Sequence, residues 1–481
     1  MFDGVNADEL SKEMSCQRRN MKINNYDVAI IGGGMSGLML AHRLLDQNQD
    51  LDVVIIEKGK SLAKRSCPII EKKVDHCIGC KPCSIMTGMA GAGAFSDGKF
   101  TITNEFGGWL PEFIGEKDSM YYMEMADEIL VSLGATEYRY KPDNDLKKLC
   151  LENSMFMKQG NIKHLGTEKT YEIMTELIKG ISDKCEIVSE VEVIDVDKEN
   201  KIIKTLDNQE FTAESIVFAV GRSGNSFLTD WCQDNKISLS VNPVDIGVRV
   251  ELPSLIWKDI SNSVYDPKIS YRSKQYGDHT RMFCFNDGGN VVAENTNNIV
   301  TVNGHAYNDP KLKTENSNFA LLSSIKFADD FNDPTTYIEN IASTANLIGG
   351  GNVVVQRFGD LLEGKRTTAS RLKASTVRPT LNAAPGDLSL CLPKRQLDNI
   401  IETIKQLDKV APGTANYDTL LYGVECKYYS SRPKTNNFEI DTCDGIYACG
   451  DGAGITRSLA QAAANGLYIA DMLVKKHQKI K

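Results

Sequence analysis

The stretch Tyr26-Asp27-Val28-Ala29-Ile30-Ile31-Gly32-Gly33-Gly34-Met35-Ser36-Gly37 decides the fold. Val28 to Ile31 is a short apolar run suited to a strand buried on both faces. Gly32, Gly34 and Gly37 form the G-x-G-x-x-G turn. The first allows the tight turn, the second lets a pyrophosphate approach the backbone, and the third lets helix and strand pack closely. A helix is predicted from Met35 to about Leu45, its N-terminus aimed at the phosphates. Val53 to Ile56 reads as the second strand. Glu57 closes it 20 residues after Gly37, where a carboxylate can accept from adenosine ribose hydroxyls. Strand, turn, helix, strand and acid in that order make a dinucleotide-binding βαβ unit.

The other strands of this sheet are distant in sequence. Cys185 to Val196 alternates partly with period two. Lys201 to Thr205 and Gln209 to Thr212 flank the turn pair Asp207-Asn208 and predict a hairpin. Ser215 to Gly221 is a buried strand ending in glycine. Near the other end, Gly445 to Gly452 reads as a strand running into a turn. A helix rich in Ala and Leu follows from about Thr456 to Lys476.

Strands at both ends of the chain imply an α/β, Rossmann-like domain that is discontinuous in sequence, with an α+β substrate domain inserted. The expected organisation is a polar arm (1–24), the first part of the dinucleotide domain (25–238), the insert (239–439) and a final strand and helix (440–481). Within the insert, Gly247 to Leu252, Arg281 to Phe285, Asn298 to Val302 and Val353 to Arg357 are strand-like, and Leu397 to Leu407 is helical.

The bulk properties bound the function. With 481 residues, two or three domains are expected. A composition of 41% hydrophobic and 25% charged residues is that of a globular chain, and no apolar run suits a membrane span. The net charge of -9 argues against nucleic acid as a partner, because neutralising phosphates needs excess Lys and Arg. Thirteen cysteines without a secretory leader point to a reducing, cytoplasmic setting. The oligomeric state is not legible.

Gly450-Asp451-Gly452-Ala453-Gly454 turns the cofactor from nicotinamide toward flavin, since in two-dinucleotide flavoproteins such an aspartate accepts a ribityl hydroxyl. The chain here resembles the glutathione-reductase-like FAD superfamily. Within it, Gly91 to Lys99 (GAGAFSDGK), Asp245 to Glu251, Val302-Asn303-Gly304 and Ser317 to Ala320 resemble an FAD-dependent dehydrogenase family with a dedicated C-terminal domain. The resemblance implies that Gly32, Gly34 and Gly37 cradle the FAD pyrophosphate and Glu57 holds the ribose. It implies that Val193 meets adenine through its backbone and that Gly91 to Lys99 lies near the isoalloxazine. Gly221 belongs to the turn that closes the dinucleotide site, where Arg222 departs from the usual Ala-Thr-Gly pattern. Asp451 binds the ribitol, and Gly454 begins the turn at the flavin. Gly33, Ser36, Lys58, Gly93, Ser96, Asp97 and Gly450 complete the implied cofactor set.

The only other notable glycine cluster, Gly349-Gly350-Gly351, leads into a strand instead of a helix, so it is not a second nucleotide site. Either the substrate reduces the flavin directly, or NAD(P)H binds transiently.

The catalytic candidates are Asp97, Lys99 and Arg457. Lys99 could support an anionic flavin or an acidic substrate, with a surface salt bridge as the plain alternative. Arg249 and Glu251 share a strand face and could clamp a carboxylate or pair with each other, the ion pair being the favoured reading. Arg366 and Arg371 either face an acidic substrate or are solvated. His164, before a helix, is expected to make a helix-start contact more than to serve as an acid or base. Cys67, Cys77, Cys80 and Cys83 have a spacing that suits an iron–sulfur cluster, zinc or a redox dithiol, but reduced structural thiols are the favoured reading.

The expected activity is that of an FAD-dependent oxidoreductase transferring a hydride between flavin N5 and a small-molecule substrate. The alternatives are a flavin monooxygenase served by NAD(P)H and an FAD-dependent RNA-modification or electron-transfer protein.

Overall fold

The computed structural model describes residues 24–480 apart from 69, 70, 72, 75–77, 79, 241, 243, 297, 298, 308, 309, 326, 328–332, 428 and 429. The expected arm falls almost wholly outside these residues. The chain begins with β1 (Asn24–Ile31), α1 (Met35–Gln47), β2 (Val53–Glu57), β3 (Lys99–Ile102) and α2 (Leu110–Ser132). Helix α2 is broken at Gly115, where φ is 80°. Then come β4 (Met155–Lys158), β5 (Asn161–His164), α3 (Thr167–Ser182), β6 (Cys185–Ser189), β7 (Val193–Asp197), β8 (Ile202–Thr205) and β9 (Glu210–Phe218).

The insert runs through β10 (Leu239–Ser240), β11 (Val244–Pro253), β12 (Lys268–Arg272), β13 (His279–Asn286), β14 (Asn290–Thr296), β15 (Ile299–His305) and β16 (Asn316–Ile325). It continues with α4 (Pro334–Ile348), β17 (Val354–Arg357), β18 (Ala384–Pro385), α5 (Lys394–Leu407), β19 (Leu420–Lys427) and β20 (Arg432–Pro433). The chain closes with β21 (Thr435–Asn436), β22 (Glu439–Ile440), β23 (Ile446–Ala448) and α6 (Leu459–Ile480).

The first sheet has the order β21-β22-β23-β9-β1-β2-β6. Its central strands β23, β9, β1, β2 and β6 are parallel. Val28, Ala29, Ile30, Val54 and Ile55 are fully buried, as a parallel strand covered on both faces requires. Helices α1 and α6 pack together over this sheet. The expected hairpin is β8 with the start of β9, and Asn208 takes φ 63° in its turn. Strand β9 continues directly into the predicted 215–221 strand, whereas the predicted 185–196 strand splits into β6 and β7.

The second sheet has the order β18-β17-β19-β11-β16-β13-β12-β4. All its neighbours except β17 and β18 run antiparallel. Helix α5 covers it with Leu397, Ile400, Ile404 and Leu407, which form one core with Val248, Val250 and Phe319. Among the described residues, each sheet has an extensive core of its own, as a domain does.

Two corrections to the expected boundaries follow from pairing. The chain leaves and re-enters the first domain side by side, with β10 antiparallel to β20. Strands β21 and β22 already belong to the first sheet, so the insert ends near Pro433, not at 439. Strand β4, from the first segment, pairs with β12 and extends the second sheet. A cavity of about 400 Å³ opens beside the β10–β20 crossing, lined by Phe113, Leu239, Arg432 and Lys434 among others. No helix of the described residues is long and apolar enough to cross a membrane.

Candidate functional site

The carboxyl ends of β1, β2, β9 and β23 meet at one edge of the first sheet. Such edges receive ligands in open α/β folds. After β1, Gly32 takes φ 111°, and a Cβ there would overlap the Ala219 carbonyl oxygen. A Cβ on Gly37 would overlap the Gly32 carbonyl oxygen, so turn, helix and strand pack as closely as the fingerprint predicts. Gly34 differs. It is the N-cap of α1, with no side chain capping the helix and no acid in the first turn. A Cβ on Gly34 would meet nothing closer than Gly91 Cα at 4.0 Å, and one on Gly221 would meet nothing within 4 Å. The helix N-terminus, with its unpaired N–H groups and partial positive charge, thus faces open room.

The walls of this room carry the remaining chemistry. Glu57 is 6% exposed, and its Oε2 and Oε1 accept from the N–H groups of Gly33 and Gly59, each at 2.8 Å. Two backbone donors fix the carboxylate and leave it lone pairs for a ribose diol. Opposite, the Gly450 N–H donates to Asn465 Oδ1 at 2.7 Å, and Asp451 follows with Arg222 Nε 3.1 Å from its Oδ2. Burial raises the Asp451 pKa, while Arg222 and then Arg457 oppose the shift. An FAD fits this donor set: an uncapped helix for the pyrophosphate, Glu57 for the ribose and Asp451 for the ribitol.

Arg65, which sequence reasoning passed over, holds the fourth wall. The residue is 6% exposed, and its guanidinium donates to the carbonyls of Ser84, Ile85, Met89 and Gly91 at 2.6 to 2.8 Å. It also lies over the Phe95 ring at 4.7 Å. Ala90 N–H donates to Gly33 O at 2.7 Å, so the 84–95 segment is clamped over the glycine turn. Burial lowers the Arg65 pKa to about 10. A single arginine ahead of a glycine-rich loop has no local signature, because its partners are carbonyls.

A polar cluster sits where the two domains meet. Lys99 and His164 are opposite each other in the β3–β5 pair. Lys99 Nζ lies 3.2 Å from Asp97 Oδ2 and donates to Phe285 O at 3.1 Å and Asn286 Oδ1 at 3.2 Å, across the domain boundary. The His164 ring stacks on Tyr265 at 4.3 Å, with Nε2 2.8 Å from the Tyr265 hydroxyl and 3.9 Å from Asp97 Oδ2. Asp266 pairs with Lys268 at 2.6 Å and accepts from Phe285 N–H at 2.9 Å. Burial alone would lower the Lys99 pKa, but Asp97 and Asp266 outweigh it and the net shift is upward. Burial, reinforced by Lys99 and opposed by Asp97, pushes His164 down to about 4. Burial raises the Tyr265 pKa. At neutral pH the cluster therefore holds a charged lysine, a neutral imidazole and a protonated phenol.

Residues 243–428, the heart of the second sheet, match the family described as FAD-dependent protein, C-terminal domain-like. Residues 27–74, the βαβ unit, match the family Lycopene cyclase protein. A Clostridium beijerinckii protein described as an uncharacterized protein is 25% identical over 468 residues, covering 93% of this chain and 80% of that one. Among solved structures, glycine oxidase from Geobacillus kaustophilus is similar, with 13% identity, a TM-score of 0.39, and 94% and 95% of the two chains covered. L-proline dehydrogenase from P. horikoshii is similar with 12% identity, a TM-score of 0.41 and 95% of each chain covered.

Ser96 Oγ donates to Gly93 O at 2.8 Å and accepts from Gly98 N–H at 3.2 Å, shaping the loop from within. Ser36 is buried, and a Cβ on Gly450 would run into its hydroxyl. Lys58 pairs with Glu192 at 3.0 Å on the surface. Val193 opens β7 opposite Thr205. The Arg457 N–H donates to Gly107 O at 3.0 Å, and its guanidinium lies 5.9 Å from the Trp109 ring.

Arg249 and Glu251 do not pair with each other. Arg249 Nη1 bonds both Glu425 oxygens at 3.2 Å, while Glu251 accepts from Asn316, Thr380 and Tyr422. The neighbouring strands place better partners beside each residue than the other offers along β11. Arg371 pairs with Asp360 at 3.0 Å. His164 precedes α3 as predicted, but its ring joins the interdomain cluster instead of making the expected helix-start contact. Of the cysteine set, Cys77 lies outside the described residues; Cys67 is partly buried, and Cys80 and Cys83 are exposed. Among the described residues, these sulfurs do not converge with other ligating atoms into a group of three.

Proposed function

We propose that the chain is an FAD-dependent oxidoreductase acting on a small organic substrate seated at the seam between its two domains. The observation that carries the reading is the N-terminus of α1, which no side chain caps and where a Cβ on Gly34 would meet nothing closer than 4.0 Å. Bound FAD would supply hydride acceptance or donation at its N5. The N–H groups of Gly34 to Gly37 bind the pyrophosphate, Glu57 the ribose and Asp451 the ribitol, and the Val193 backbone meets adenine. Gly93, Ser96 and Asp97 lie on the loop that borders the reactive end. At the seam, Lys99 carries positive charge for an acidic substrate group and pairs with Asp97. The Tyr265 hydroxyl and His164 Nε2 share a hydrogen bond and can hold a proton for a substrate oxygen or nitrogen. Arg457, beside Asp451, flanks the same end.

Either the substrate itself or transiently bound NAD(P)H reduces the flavin. The eleven described cysteines are all free, which suits a reducing compartment such as the cytoplasm. The test is to purify the protein after FAD supplementation, then titrate it anaerobically with NADH, NADPH and a metabolite panel while recording the flavin band. Stoichiometric flavin that bleaches with a subset of these compounds is expected. A protein that neither retains nor takes up FAD sinks the proposal.

A further inference from the structure

A second constellation lies at the opposite end of the first sheet. Strands β1 and β9 run parallel with Tyr26 against Ala213 and Val28 against Ser215. That register sets Asp27 level with Glu214 on adjoining strands. Like charges so placed repel each other unless a cation lies between them. The last turns of α6 bring His477 onto this pair, with its side chain 5% exposed. Its Nδ1 lies 3.3 Å from Glu214 Oε2. Its Nε2 lies 3.3 Å from the Ser215 hydroxyl, a residue with no exposed surface. One carboxylate oxygen of Asp27, one of Glu214 and a ring nitrogen of His477 all lie within 4.8 Å of one another. Asp27 Oδ2 also accepts from the Asp52 N–H at 2.8 Å, which holds that carboxylate in place.

We propose that Asp27, Glu214 and His477 bind a divalent transition-metal cation that pins the C-terminal helix to the sheet.

Ligands held about 2.0–2.2 Å from a tetrahedral cation lie roughly 3.3–3.6 Å apart. The Nδ1–Oε2 distance already meets this, and the half-exposed Glu214 side chain can adjust to bring in the third atom. The Ser215 hydroxyl on the far ring nitrogen supplies the outer hydrogen bond that orients a metal-bound imidazole. One nitrogen and two carboxylates suit zinc or a similar transition ion, because calcium and magnesium prefer all-oxygen shells. Asp27 lies five residues before Gly32, on the order of 16 Å along an extended strand, so the metal would be structural and independent of the flavin reading.

The test uses the full chain, stripped with a chelator, in a background where Cys67, Cys77, Cys80 and Cys83 are changed to serine. This background removes the clustered thiolates as rival ligands. Zinc chloride is titrated by calorimetry, and cobalt(II) absorption reports the ligand type. One saturable equivalent, a raised Tm and a cobalt spectrum without thiolate charge transfer are expected. Glu214→Gln and His477→Ala should each weaken zinc binding by roughly tenfold or more. Glu214 is 56% exposed, so its variant answers the question even if His477→Ala fails to fold. Zinc isotherms that are the same in the background and in Glu214→Gln, or no saturable binding up to millimolar zinc, would overturn the proposal in favour of a plain His477–Glu214 ion pair.

Discussion

Arg222 Nε lies 3.1 Å from Asp451 Oδ2, tying the turn after β9 to the turn after β23. The two turns are 229 residues apart in sequence, and both border the proposed cofactor room. Arg222 is 55% exposed, so the pair adds little to stability, about 1 kcal/mol at most. On the proposed function, its role is to hold Asp451 for a ribityl hydroxyl. We predict that Arg222→Ala leaves the thermal midpoint nearly unchanged but weakens FAD binding about fivefold, the worth of one hydrogen bond. Fluorescence titration of the apoprotein with FAD checks this. Unchanged affinity would detach Arg222 from the cofactor.

Gly34 and Gly37 should respond to alanine in opposite ways. At Gly34 φ is -80° and the space ahead is open, so the Gly34→Ala apoprotein should fold normally. The added methyl projects into the room in front of the helix, and flavin retention should fall at least tenfold. At Gly37 the methyl meets the Gly32 carbonyl, and overpacking of this kind costs roughly 1–3 kcal/mol. Melting curves beside flavin-to-protein ratios separate the two outcomes.

Removing Arg65 leaves four carbonyls, one buried and three partly buried, without this donor, at about 1–3 kcal/mol for each one that water cannot reach. Arg65→Leu should therefore loosen the 84–91 segment, raising its hydrogen exchange and exposing it to protease. Lysine offers one donor centre in place of a fork and should rescue only in part. Unaltered exchange across 84–91 in Arg65→Leu would refute the clamp.

His164 makes stability depend on pH. An unfolded imidazole takes its proton near 6.5, the folded one only near 4. Between those values the unfolded chain binds more protons, so stability is present above about pH 6.5 and is lost as pH falls toward 4. The full effect is on the order of 3 kcal/mol. His164→Gln should flatten the stability profile across this window when denaturant midpoints are measured from pH 7 to pH 4. A mutant profile parallel to that of the wild type would show that His164 titrates normally.

Local signals carried the cradle. The βαβ fingerprint at 26–57 needed only apolar runs, glycine spacing and one acid, because each acts on its own stretch of backbone. Gly450 to Gly454 was legible for the same reason. The interdomain cluster was not. Asp97 and Lys99 stood out as charges beside a glycine loop, but Tyr265, Asp266 and Asn286 lie more than 150 residues further along the chain. Only the packing of the β3–β5 pair against the second sheet brings them together. The Arg249–Glu251 reading failed on the same ground: strand periodicity names a face, but neighbouring strands choose the partner.

The sequence by itself determined the class of the first domain, its discontinuity and the kind of cofactor its turn can hold. These follow from backbone sterics and hydrophobic periodicity, which act over a few residues. The tertiary structure alone decided that the insert closes at the β10–β20 crossing, that Arg65 clamps the loop, and that His164 is a buried neutral imidazole in the interdomain cluster instead of a helix-start contact. Those outcomes depend on which groups lose water together and which charges then face them, and burial is a property of the packed whole.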